Sequence, residues 1–237
     1  MKNSIFINKK IRSYNKKITV SSDKSISIRW ALIASQAIGK SKASNLLISE
    51  DVLSALNCLK KLGIKMNLNK KKQTCEIFGN GINGFNYKKN ITLNANNSGT
   101  LARLICGLLV KAKNKIKIIG DKSLSRRDFS RVILPLNKFG VNFYPRFKKN
   151  LPLSIQGTDF LRPIQFQEKK GSAQVKSLLI FAAMNTPGTT IIHAKKSRDH
   201  TERFLKYLKT PIKTIKKKNY DIIEISETKS INPIDYK

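Results

Sequence analysis

With 237 residues, 40% of them hydrophobic, the chain is long enough to bury one large core or two small ones. Its 47 Lys and Arg against 14 Asp and Glu leave a net charge of +33, a balance that points to an anionic partner. The excess is mostly Lys scattered along the whole length beside Asn and Ile, which reads as compositional bias and argues against a focused nucleic-acid patch.

The N-terminal stretch MKNSIFINKKIRSYNKK has only a three-residue apolar run, too short for a signal peptide. The first helix is predicted in SDKSISIRWALIASQAIGKSKASNLLI, where small polar residues and cations open an apolar run that turns into the β-rich ASNLLI. SEDVLSALNCLKKLGIKM follows as an amphipathic helix with Val52, Leu56, Leu59 and Leu62 as its buried stripe, leading into a strand. Lys70, Lys71 and Lys72 read as a solvated loop. The same order then recurs. NNSGTLARLICGLLVKAKNKIKIIG is followed by SRRDFSRVILPLNKFGVNF, and GSAQVKSLLIFAAMNTPGTTIIHAK by SRDHTERFLKYLKTPIKTI. Asp51, Asp128 and Asp199 sit at the starts of the second helices, where carboxylates are favoured. Gly63, Gly140 and Pro211, each twelve residues further on, read as helix stops. The third copy ends near NYDIIEIS, and ETKSINPIDYK reads as a linker or the beginning of a further segment. The longest apolar run, SLLIFAAM, is far short of a membrane span. Cys58, Cys75 and Cys106 form no CxxC pair, so neither a disulfide framework nor a zinc site is supported and a reducing, cytoplasmic setting fits.

Three copies of roughly 75 residues, each helix, strand, helix, strands, are too long for a solenoid repeat and imply a shared core. The fold class expected is α/β, with three repeated βαβαββ-type units around a pseudo-threefold core. Symmetric packing would bring equivalent helix N-termini to one face, where N–H groups, dipoles and cations make an anion site. The first copy offers Lys24, Ser25 and Arg29; the second Asn97, Ser98, Gly99, Thr100 and Arg103; the third Ser172, Gln174 and Lys176. The second helices add Arg126, Arg127, Ser197 and Arg198. Each has a plainer reading. Ser25, Ser98 and Ser172 suit helix N-caps, Arg29 and Arg103 suit snorkelling surface residues, and Gly99 suits a turn. Recurrence at matching places in all three copies favours the anion site. No carboxylate pair, Ser-His-Asp set or P-loop stands out, and His193 and His200 do not read as a catalytic pair.

DKSISIRWALIAS, NNSGTLARLICGLL, GDKSLSRRDFSRVILPL, SAQVKSLLIFAAMNTPGTT and SRDHTER together resemble the 5-enolpyruvylshikimate-3-phosphate synthases (3-phosphoshikimate 1-carboxyvinyltransferases), in order and spacing, up to about residue 210. The related enolpyruvyl transferases acting on UDP-N-acetylglucosamine share the fold, but SAQVKS and SRDHTER look like the shikimate branch. The resemblance implies transfer of the enolpyruvyl group of phosphoenolpyruvate to the 5-hydroxyl of shikimate 3-phosphate, by addition and elimination, on the route to chorismate and the aromatic amino acids. It implies no metal or organic cofactor. By the same resemblance, Lys24 contacts both substrates, and Ser25 and Arg29 hold shikimate 3-phosphate. Gly99 and Arg127 hold phosphoenolpyruvate. Ser172, the backbone of Ala173 and Gln174 line the shikimate 3-phosphate site, with Gln174 also reaching phosphoenolpyruvate, and Ser197 and Arg198 complete the phosphate pocket.

Several residues depart from the family pattern. Ile28 stands for a polar residue, Trp30 for a small one, and Asp128 for the Pro after the key Arg, where a carboxylate could pair with Arg127. Members of the family carry two similar domains, and this chain reads as the first alone. Residues 1–15 would be a strand and linker packing on the other domain, 16–228 the three-repeat domain, and 229–237 the crossover linker. The family's proton-transferring Asp, Lys and Glu are expected in the other half, so no catalytic residue is expected here. The resemblance implies a monomer for the complete enzyme, leaves room for a second polypeptide supplying the other half, and involves no membrane and no specific nucleic acid. The alternative is a basic nucleic-acid-binding or non-catalytic protein on the same scaffold, which rests on charge alone, since aromatics are 8% of the chain.

Overall fold

The structure, a computed structural model, describes residues 20–236 continuously together with residues 6, 8–10, 13, 15 and 18. The strand expected in SIFIN falls on residues outside those described.

The chain runs α1 (Lys24–Ala34), β1 (Ile38–Ala43), α2 (Glu50–Lys61), β2 (Lys65–Asn69) and β3 (Thr74–Asn80) through the first unit. The second unit is β4 (Thr92–Asn94), α3 (Gly99–Leu108), β5 (Ile116–Ile119), the short α4 (Lys122–Ser125), α5 (Ser130–Phe139), β6 (Asn142–Tyr144) and β7 (Leu153–Gln156). The third is β8 (Gln165–Glu168), α6 (Ala173–Met184), β9 (Thr189–Lys195), α7 (His200–Tyr207), β10 (Ile212–Lys216) and β11 (Tyr220–Ser226), and β12 (Asp235–Tyr236) is the last element described.

Among the described residues three four-stranded sheets result, ordered β12-β1-β3-β2, β4-β5-β7-β6 and β8-β9-β11-β10. In each, the first pair is parallel and the others antiparallel. The three repeated units of the sequence are therefore three copies of one sheet topology. The parallel edge is filled by β4 and β8 in the second and third units, immediately before the inner helix. In the first unit the same place is taken by β12, from the far end of the chain. Residues 229–236, which read as a crossover linker, thus run back along the first sheet. Ile231 and Ile234 are both 1% exposed, and the Ile38 and Lys42 N–H groups donate to their carbonyls.

The first helix of each unit is apolar on nearly every side, as a helix buried all round must be. In α3 every residue is buried, and in α6 every residue except Gln174. Gly107 marks where α3 and α6 cross, since a Cβ there would lie 2.4 Å from the Leu178 carbonyl oxygen. Each inner helix opens on a short polar side chain. Asp23 accepts from the Ile26 N–H, Ser98 from Leu101 and Ser172 from Val175. Ser98 and Ser172 are therefore caps, while in α1 the cap is Asp23 and Ser25 lies inside the helix. Outer helices are amphipathic: α2 buries Val52, Ala55, Leu56 and Leu59 and sets Lys60 and Lys61 at its end.

The helix stops hold in two copies of three. Gly63 and Gly140 take the left-handed conformation at φ +85° and +104°. In the third copy α7 ends at Tyr207 and the left-handed residue is Lys209 at φ 55°, two positions before Pro211. Among the described residues no helix is long and apolar enough to cross a membrane, and no three His, Cys, Asp or Glu side chains are grouped to hold a metal ion. The three cysteines are buried and unpaired, with burial pushing Cys58 and Cys106 up to about 12 and Cys75 to about 11.

Candidate functional site

Two guanidinium groups join the three inner helices at their N-terminal ends. Arg29 of α1 is 2% exposed, so it does not snorkel. Its Nε donates to Thr201 Oγ1 (2.9 Å) in α7. One terminal nitrogen donates to both the carbonyl oxygen and the hydroxyl of Ser25. The other donates to the Ala173 carbonyl (3.4 Å) and to Ser177 Oγ (3.0 Å) in α6. Burial, then repulsion from Arg198, pulls its pKa down to about 10, so it remains a cation at neutral pH. An arginine has five N–H donors, and these contacts use all five.

Arg103 of α3 is 9% exposed and makes the second junction. It donates to the Gly99 carbonyl (3.1 Å) and to Gln174 Oε1 (3.0 Å), while the Gln174 amide donates to Thr100 Oγ1 (3.0 Å). The same guanidinium lies 5.1 Å from the centre of the Phe129 ring. Gly99 is the first residue of α3, and its bare Cα lets two arginines approach: a Cβ there would be 2.7 Å from an Arg103 terminal nitrogen and 2.9 Å from one of Arg127. Arg127 is exposed and donates to Asn97 Oδ1 (3.2 Å), whose amide donates to Asp121 Oδ2 (2.6 Å). The second junction is therefore a row of donors reaching the surface.

Lys24 is exposed, and its ammonium lies 3.3 Å from Asp51 Oδ2. Ser172, the cap of α6, also donates its own N–H to the buried Glu168 carboxylate (3.0 Å). Arg198 is exposed, next to Ser197, whose hydroxyl is buried. Asp199 stands at the start of α7 but makes no side-chain cap bond. The sequence-expected residues thus fall into two groups. Lys24, paired with Asp51, Arg127, held by Asn97, and Arg198 present charge at the surface, and Ser25, Arg29, Gly99, Ser172, Ala173, Gln174 and Ser197 lie beneath.

The structure corrects some expectations. Asp128 does not pair with Arg127; its Oδ1 accepts from the Ser130 N–H (2.7 Å), and the Ser130 hydroxyl first and this N–H second hold the carboxyl below the usual carboxylate range. Ile28 and Trp30 are both 0% exposed, so neither departure lies on the exposed face of the helix heads. Lys176 does not reach that face either. It is wholly buried and paired with Glu202 at 2.7 Å. Sequence reasoning missed Thr201, Ser177 and Glu202, because uncharged hydroxyls and a helix-head Glu carry no pattern that sets them apart from ordinary helix residues.

Residues 8–232 match the sequence family described as EPSP synthase (3-phosphoshikimate 1-carboxyvinyltransferase). A 3-phosphoshikimate 1-carboxyvinyltransferase of Petrotoga mobilis is 43% identical over 196 residues, covering 81% of this chain and 45% of that protein. One from Caldicellulosiruptor saccharolyticus is 37% identical over 219 residues, covering 90% and 49%. The solved EPSP synthase of Acinetobacter baumannii superposes with a TM-score of 0.84 at 31% identity, covering 93% of this chain and 48% of that one. The chain spans about half the length of these relatives. With its three matching sheets, its capped inner helices and these likenesses, the chain belongs to the EPSP synthase family.

Proposed function

We propose that this chain is the substrate-holding half of an enolpyruvyl transferase, binding shikimate 3-phosphate and helping to receive phosphoenolpyruvate. The observation that supports this most is the joining of three inner helix heads by Arg29 and Arg103, with Lys24, Arg127 and Arg198 exposed around them. Both substrates are phosphorylated carboxylates, and such anions suit helix N-termini backed by guanidinium forks.

In this reading Lys24 exchanges Asp51 for a ligand oxygen, a cheap exchange because an exposed pair is worth about 0–1 kcal/mol. Arg127 and Gly99, whose lack of a side chain leaves room for the guanidinium groups beside it, take phosphoenolpyruvate. Ser172, Ala173, Gln174, Ser197 and Arg198 take shikimate 3-phosphate. Arg29 joins them by trading its bonds to Ser25 for the ligand. In the transfer, the 5-hydroxyl oxygen bonds to C2 of phosphoenolpyruvate and loses its proton while C3 gains one. The C2–phosphate bond then breaks and C3 gives a proton up. The residues of this chain bind, orient and offset charge on the leaving phosphate, and no proton transfer is assigned to them. A second domain or polypeptide completes the site, residues 16–228 form the domain, and the setting is the cytoplasm.

Calorimetry of the chain with shikimate 3-phosphate and with shikimate tests the reading. Preference for the phosphorylated form is expected, together with no phosphate release from the two substrates by this chain alone. Equal affinity for both, or no heat with either, would overturn it.

A further inference from the structure

Beneath the loop that carries Ser197 and Arg198 lies a charge pair that the substrate-binding face does not use. Lys176, one turn into α6, has a side chain 0% exposed, and its ammonium is 2.7 Å from Glu202 Oε1, itself 6% exposed. The same ammonium donates to the Ser197 carbonyl (3.4 Å). Three more polar atoms in this corner are buried without a partner among the described residues: Ser197 Oγ, His200 Nδ1 and Glu202 Oε2. Thr201, next to Glu202, takes the Arg29 Nε and shares a hydrogen bond with Ser177 (2.7 Å).

A buried ion pair is weak grounds for stability, since replacement of both partners by apolar groups is often neutral or stabilising. This pair also holds a specific piece of backbone. The loop between β9 and α7 crosses directly over the Lys176 ammonium, and Glu202 fixes that ammonium from the α7 side. We infer that Lys176 and Glu202 are positioning residues: they set the height of the Ser197–Arg198 loop and so the chain's discrimination between a phosphorylated and an unphosphorylated ligand. The inference rests on the reading that this loop receives the phosphate of shikimate 3-phosphate. An apolar pair of similar size would fill the space but leave the Ser197 carbonyl with no donor below it, and the loop free to settle elsewhere.

The test compares the affinity ratio of shikimate 3-phosphate over shikimate in wild type and in Lys176→Met/Glu202→Leu. The ratio is expected to fall about tenfold, the size of one lost hydrogen bond to a charged group. The thermal midpoint should be unchanged or raised and shikimate affinity kept. An unchanged ratio in the folded double variant overturns the inference and leaves the binding reading standing. A wild type with no preference for the phosphorylated ligand overturns both. If the double variant does not fold, Glu202→Gln keeps the volume. It should give a smaller loss of ratio in the same direction, because Lys176 remains but is no longer held by a carboxylate, with amide exchange at residues 196–199 at least about tenfold faster and α6 still protected. Unchanged exchange and ratio in that variant overturn the inference.

Discussion

The corner around Arg29 and the corner around Gly99 hold the same chemistry in opposite conditions. Arg29 is buried and spends every N–H inside the protein, on Ser25, Ala173, Ser177 and Thr201. At the other corner Arg127 is exposed with a single amide oxygen beside it, and Arg103 shares itself between Gly99 and Gln174. One corner is a closed framework, which in the proposed reading releases only its Ser25 bonds to a ligand, and the other leaves its outer guanidinium uncommitted. A guanidinium in an anion-binding family is therefore not a ligand contact by default, and what distinguishes the two is how many of its donors are already committed.

The largest expected effect separates the corners by stability. Arg29→Ala leaves Thr201, Ser177 and the Ala173 carbonyl short of a buried partner and should cost about 3–5 kcal/mol in chemical denaturation. Arg127→Ala should change stability by less than about 0.5 kcal/mol. Equal losses would erase the distinction. Next, Arg127→Ala should weaken phosphoenolpyruvate binding about 10–100-fold, the loss of a charge-assisted contact worth about 1.5–3 kcal/mol, whereas an unchanged titration would remove Arg127 from the site. Gly99→Ala sharpens the contrast. Its methyl would press on the flexible ends of two arginines and not on backbone, so folding should be kept while phosphoenolpyruvate affinity drops about tenfold. A variant that binds normally would show that the guanidiniums can move aside without loss.

The smallest effect is the acid response of the open corner. Asp121 is held below the usual carboxylate range by the Leu124 N–H, with the Asn97 amide also helping, and Asp128 by Ser130. Folded values lowered in this way contribute stability above the unfolded carboxylate value of about 3.9, and that stability is lost as pH falls through the folded values. Asp121→Asn/Asp128→Asn should flatten the acid side of the stability profile. An acid limb as steep as wild type would mean that these carboxylates contribute nothing there.

Much of the fold was legible because the three copies repeat their punctuation. Ser98 and Ser172 open apolar helices and the structure makes each an N-cap, whereas in the first copy the cap is Asp23 and not the Ser25 that the sequence suggested. Lys209 was illegible as a helix stop, because nothing in a lysine announces a left-handed backbone. The site was legible as a set of helix heads but not as two layers. Arg29 and Arg103 sit in apolar runs, and such a run reads the same whether the cation leaves it for solvent or turns inward to bind carbonyls and hydroxyls. Only the packing of α1, α3 and α6 decides that, and it turned both inward. Lys176 gave an equally mixed signal, since its partner Glu202 belongs to another helix.

The borrowing of β12 by the first sheet sets an order of events during synthesis. The Ile234 N–H donates to Ser41 Oγ across 193 residues of chain. On the ribosome the second and third units can close their sheets as they emerge, while β1 has its parallel neighbour only after those 193 further residues have been made. At about 5–20 residues per second that interval is roughly 10–40 s. The unit translated first is therefore the last to be finished, with one strand edge open in the meantime.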